Sequence, residues 1–134
     1  MVADASAVGR FLLPDEQGRF ADFARAVFGD DAIHVPPHWP AEVANMLWKA
    51  HRRKRIGDED LGRIGQVASD LADAVVIEGE LPPGRLAAEA ARTGLTAYDA
   101  SYLMLAQRLG APLLADDGKL GRAAVAAGVE LLRP

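Results

Sequence analysis

The chain predicts an α/β fold, a mainly parallel sheet covered by helices. Two observations carry this. Short apolar, β-favouring runs alternate with longer stretches of helical spacing, which is the pattern of helix-covered parallel strands. No Asn-Gly or Asp-Gly turn joins two strands, so tight hairpins are not expected; the one such dipeptide, Asp117-Gly118, precedes a helical pattern. With 134 residues, half of them hydrophobic, one domain spanning 1–134 can bury a core without staples.

The elements follow in order. Val2–Ala5 is a brief first strand, leading into a helix over Ser6–Leu13 that Pro14 ends. Arg19–Phe28 sets Phe20, Phe23, Ala24, Val27 and Phe28 on one helical face, and Gly29 stops it. Ile33–Val35 is a second strand closed by Pro36 and Pro37. From Pro40 to about Arg55 a helix turns Val43, Met46, Leu47 and Ala50 inward, and Asp58 caps the next, which carries Leu61, Ile64, Ala68 and Leu71. Ala74–Ile77 is the third strand. Pro82 and Pro83 open a helix that ends at Gly94. Ala97–Leu109 is apolar nearly all round, including Tyr98 and Tyr102, and is expected to be a buried central helix. Pro112–Ala115 is the fourth strand, Lys119–Ala127 the last helix and Val129–Leu132 a final strand.

Four acidic residues recur at the feet of these helices: Asp4, Glu42, Asp99 and Asp117. Each has a plain explanation in capping or in the helix dipole, and Thr96 with Asp99 matches a capping box with aspartate for glutamate. Asp4 is the hardest to explain so, because it ends an apolar strand among small alanines that supply no counter-charge. Their shared position is more telling than any single member. Three of the four follow strands, and open parallel sheets place their ligand crevice at that edge. Carboxylates gathered there repel one another unless a cation sits between them, and a divalent metal ion is the simplest choice.

Composition narrows the chemistry. Cysteine is absent, which removes disulfides, zinc–thiolate sites and thiol nucleophiles. No apolar run approaches the ~18 residues of a membrane span. The start, MVADAS, has neither a basic segment nor a secretory apolar core, and a cytoplasmic protein is expected. A net charge of −4 argues against generic binding to nucleic acid. Yet Lys49, Arg52, Arg53, Lys54 and Arg55 place +5 within seven residues. That knob is either a solvated helix end offsetting the dipole or a local phosphate-binding patch. Trp39 and Trp48 are expected in core packing or an interface, and His34, His38 and His51 as ordinary surface histidines.

The segments VADASA, PAEVANML, LTAYDASYLMLAQRLGAPLLADDGKL and AAGVELL together resemble a PIN domain, more closely the VapC ribonuclease toxins of VapBC toxin–antitoxin pairs. The resemblance covers essentially the whole chain, and Thr96–Leu120 is its most specific part. It implies an α/β/α sandwich and Mg²⁺- or Mn²⁺-dependent cleavage of RNA by an endoribonuclease. A VapB-like antitoxin partner and a homodimer are implied with it. Residue by residue, Asp4, Glu42, Asp99 and Asp117 match the family's acidic positions as catalytic and metal-binding groups. Ser6, Asn45 and Thr96 match supporting polar positions. The fourth position departs from the pattern: Ala115 stands where Ser or Thr is common, and Asp116 is an alternative to Asp117. The competing expectation is a non-catalytic PIN-like module that binds a DNA-binding partner.

Overall fold

The computed structural model describes residues 1–16, 18–27, 32–79, 81–115 and 118–133, leaving aside the side chains of Phe20 and Arg25. Among these residues the order is β1 (Val2–Ala3), α1 (Ala5–Leu12), α2 (Arg19–Val27), β2 (His34–Val35), α3 (Trp39–Arg52), α4 (Asp58–Ala74), β3 (Val76–Ile77), α5 (Pro83–Thr93), α6 (Ala97–Leu109), β4 (Leu113–Leu114), α7 (Lys119–Ala126) and β5 (Leu131–Leu132). The expected elements are present, most with ends one to three residues shorter. Phe28 and Gly29, expected to close the second helix, lie outside the described residues, as do Asp116 and Asp117.

All strand pairs are parallel and the sheet order is β3-β2-β1-β4-β5. The chain steps outward from β1 to β3, then returns to the other side of β1 for β4 and β5. Parallel crossovers are right-handed, so reversing the direction of travel moves the helices to the opposite face. The packing follows: α1 packs on α2, α3 and α4, and α3 on α4, whereas α6 packs on α5, α7, β1 and β4. The result is the expected sandwich, with β1 and β4 flanking the point where strand order reverses. Backbone pairing there continues past the strand ends, for the Asp4 amide donates to the Leu114 carbonyl at 3.0 Å.

Val2, Val8, Val35, Trp39, Leu103, Leu113 and Leu114 are fully buried in one apolar cluster spanning the layers. Each such side chain contributes roughly 1.5–3 kcal/mol through removal from water. Trp39 belongs to this core, with its indole Nε1 unpartnered among the described residues. Trp48 does not: half its surface is exposed, and the Arg52 guanidinium lies 4.5 Å over its ring. Tyr98, expected on the buried stripe of α6, is 60% exposed, because it sits in the first turn at the rim of the sheet. Asp58 is the first residue of α4 rather than its cap; Gly57 takes the cap position.

Two local features bring the site elements together. At Gly9 a Cβ would stand 2.2 Å from Met46 Sδ, so the missing side chain lets α1 close on α3. Gly94 and Gly110, at φ +70° and +58°, end α5 and α6. The left-handed region costs a residue with a Cβ more than it costs glycine.

Candidate active site

β1 ends and α1 begins at Asp4, whose φ of −69° and ψ of 146° keep it extended at the helix start. α3 begins at Trp39 with proline in its first turn, which leaves Glu42 facing out at the same end of the sheet. Thr96 caps α6, its hydroxyl oxygen accepting the Asp99 N–H at 3.1 Å. This is half of the expected capping box, and it fixes the turn that carries Asp99.

These three turns open into one cavity of about 570 Å³. Asp4, Glu42 and Asp99 line it together with Ser6 and Asn45, as do Ala115 and Gly118 on either side of the fourth expected position. Asp116 and Asp117, the alternatives for that position, lie outside the described residues. The cavity stands at the β1/β4 reversal, where doubly wound sheets bind their ligands.

The electrostatics are those of crowded acids. Burial pushes the Asp4 carboxyl up to about 6, with Glu42 and Asp99 adding to the rise and the Ser6 hydrogen bond opposing it. Ser6 Oγ donates to Asp4 Oδ2. Glu42 is likewise raised, first by burial, against the Tyr102 hydroxyl that donates to its Oε2, and with Asp99 again adding to the rise. No three acidic or histidine side chains among the described residues converge as a metal-binding group by themselves. Asp4 and Glu42 each accept from a hydroxyl, of Ser6 and of Tyr102, which opposes the rise that burial imposes.

Toward its other end the same cavity turns basic. Lys49 lines it from α3 and Arg53 from the residue that caps its end, seven and eleven residues beyond Glu42, and Arg10, Arg55 and Lys119 complete the wall. The five cations of the sequence knob thus separate. Arg55 is committed: its Nε donates to Asp15 Oδ2 at 2.6 Å and its second nitrogen reaches Asp15 and Glu16. Its guanidinium holds Asp15 below the ordinary carboxylate range. Arg52 packs over Trp48 and Lys54 is exposed at a left-handed φ of 58°. Lys49 and Arg53 face the cavity without an ion-pair partner among the described residues.

Sequence reasoning missed several groups, two that back Glu42 from behind the cavity and two that line it. Tyr102 follows Asp99 by one helical turn within the same motif, a usable signal that was absorbed into the apolar stripe. His38 is no ordinary surface histidine, for it is half-buried between Tyr98 and Tyr102 and its Nε2 lies 3.5 Å from Glu42 Oε2. Arg10 and Lys119 carried no local signal; only the packing of α1 and α7 on either side of the crevice brings them in. His34 pairs with Glu78 at 2.7 Å and His51 with Asp58 at 2.6 Å, away from the cavity.

The sequence matches the PIN domain family over residues 1–126. It is 31% identical over 121 residues to a protein named Ribonuclease VapC3 from Pyrobaculum aerophilum, covering 90% of this chain and 91% of that one. It is 32% identical over 122 residues to Ribonuclease VapC12 of Mycobacterium tuberculosis, covering 91% and 90%. Among solved structures, PAE2754 from Pyrobaculum aerophilum superposes with a TM-score of 0.72 at 23% identity, over 91% of this chain and 84% of that one, and so shares the fold. On the sequence match, and with a fold that agrees with it, this chain belongs to the PIN domain family.

Proposed function

We propose that this protein is a metal-dependent endoribonuclease that acts as a toxin and is neutralised by a VapB-like antitoxin. The observation that carries the reading is the meeting of Asp4, Glu42 and Asp99, from three separate elements, in one cavity at the sheet's reversal point. The relatives named as VapC ribonucleases, alike over nine-tenths of both chains, support the RNA substrate and the antitoxin partner.

The donor set fits Mg²⁺ or Mn²⁺. It offers hard carboxylate oxygens and no thiolate, and its one nearby imidazole, His38, is turned to Glu42 and Ser101, a set that favours hard divalent ions over softer metals. Asp4 and Asp99 would hold the ion, with Glu42 and Asp117 (or Asp116 in its place) completing the set. When bound, the ion supplies charge for a phosphodiester and acidifies a water. The chain's own residues prepare for this. Ser6 orients Asp4 by its hydrogen bond, and Thr96 fixes the turn bearing Asp99. Asn45, one turn beyond Glu42, offers an amide to a phosphate oxygen. Lys49 and Arg53 continue the same face of α3 and would hold backbone phosphates flanking the cut, contacts that set register rather than sequence. Arg52, Lys54 and Arg55 would add only long-range attraction.

A homodimer in the cytoplasm is part of the proposal; no helix among the described residues is long and apolar enough to cross a membrane. The test is cleavage of total RNA by the purified chain with Mg²⁺ or Mn²⁺, with mapping of the cut ends. Cleavage lost in Asp99→Asn, together with relief of growth inhibition on expression, is the expected result. A chain that cleaves no RNA with Mn²⁺, while Asp4→Asn still captures a partner protein, would mark a non-catalytic binding module instead.

A further inference from the structure

Tyr102 sits on α6 one turn beyond Asp99, with its ring fully buried. A tyrosine so enclosed needs a partner for its hydroxyl. Here the hydroxyl donates to Glu42 Oε2. The Ala5 backbone amide faces the tyrosine hydroxyl itself, and the charge of Asp4 is felt there as well. A single buried atom therefore joins the start of α3 to the β1–α1 junction, and the helix that carries it begins with Asp99.

His38 backs the arrangement. Its Nε2 lies 3.5 Å from the same Glu42 Oε2 and 3.3 Å from Ser101 Oγ. Its ring packs edge-on against Tyr98 and Tyr102, at centroid separations of 5.1 and 5.7 Å. Both polar contacts of Glu42 fall on Oε2, and Oε1 has no partner among the described residues. The carboxylate is gripped by one oxygen and presents the other. Phenylalanine would fill the core equally well without setting a hydroxyl against an acidic cavity, so packing alone does not account for the tyrosine.

Resting on the reading of this cavity as a metal-dependent nuclease site, we infer that Tyr102 is a positioning residue, whose hydroxyl pins Glu42 against the Asp4–Ala5 turn and sets the spacing of the carboxylates. Groups that orient metal-binding carboxylates govern affinity and rate although they touch neither ion nor substrate.

The experiment compares the full chain with Tyr102→Phe, Glu42→Ala and the double variant, measuring Mn²⁺ binding by calorimetry, kcat and KM on RNA, and urea midpoints. Tyr102→Phe is expected to weaken Mn²⁺ binding about tenfold or more and to lower kcat by a similar factor, with KM for RNA unchanged. Glu42→Ala and the double variant should bind Mn²⁺ alike, since the tyrosine acts through that glutamate. Three results would overturn the inference: a lowered urea midpoint with Mn²⁺ binding and kcat intact, a rise in KM alone, or an equal loss of Mn²⁺ binding in the Glu42→Ala background. Wild-type chain that binds Mn²⁺ but cuts no RNA would defeat the nuclease reading and leave calorimetry to decide Tyr102. Wild-type chain that binds no Mn²⁺ would sink both.

Discussion

Replacing Asp4 with asparagine should make the metal-free protein more stable while abolishing its activity. The Asp4 carboxyl rises from 3.8 to about 6 in the folded chain, chiefly through burial. A folded-state value above the unfolded one means that folding is favoured while the group is protonated. That contribution is fully present below pH 3.8 and is lost as pH rises through about 6. At neutral pH the ionised aspartate therefore costs the fold up to about 3 kcal/mol. Asparagine is nearly isosteric, cannot ionise, and keeps a carbonyl oxygen to accept from Ser6 Oγ. Allowing for partial solvation and imperfect amide pairing, the variant should gain about 1–3 kcal/mol in EDTA at about pH 7.5. Urea midpoints of both proteins at about pH 7.5 and about pH 4 measure it, and the advantage should shrink toward zero at the lower pH. Adding Mn²⁺ should raise the midpoint of the wild type by mass action and leave the variant nearly unmoved. An asparagine variant no more stable than wild type in EDTA at neutral pH, or an advantage that persists at the lower pH, would refute the reasoning.

Two further predictions concern the walls of the site. Removing Lys49 and Arg53 should raise KM for RNA with little change in kcat, and should reduce the dependence of log KM on log salt by about 0.7 for each phosphate no longer neutralised. Arg52→Ala, on the outward face, serves as the control and should change that slope far less, since it removes only long-range attraction. Thr96→Ala removes the hydroxyl that accepts the Asp99 amide; it should lower stability by about 1 kcal/mol in urea unfolding. A loss well above the range for a single cap would mean that Thr96 supports more than the turn of α6.

The α/β alternation was readable because its signals are local. Apolar runs, prolines and capping residues act within one turn or strand, and Ala97–Leu109 stands in the structure with the bounds expected of it. Tyr98 shows where that legibility ends. Its place on an apolar stripe implied burial, yet the first turn of α6 reaches the rim of the sheet and leaves it exposed. The basic knob shows the same limit. Five cations in seven residues read as one feature, but helical rotation sends Lys49 and Arg53 into the cavity and Arg52 away from it, while Arg55 is taken by Asp15 and Glu16 across the α1 turn.

The acidic set divides along the same line. That Asp4, Glu42 and Asp99 each stand at the foot of a helix was determined by sequence alone, because helix starts are marked by prolines and caps that act on their neighbours. That these three feet meet in one cavity was decided by tertiary structure. The reversal of strand order at β1 and β4 brings together residues nearly a hundred positions apart, and no local pattern encodes that distance. The same packing placed the Tyr102 hydroxyl on Glu42 and His38 behind it. Such contacts form between elements, so their chemistry exists only once the helices have closed on the sheet.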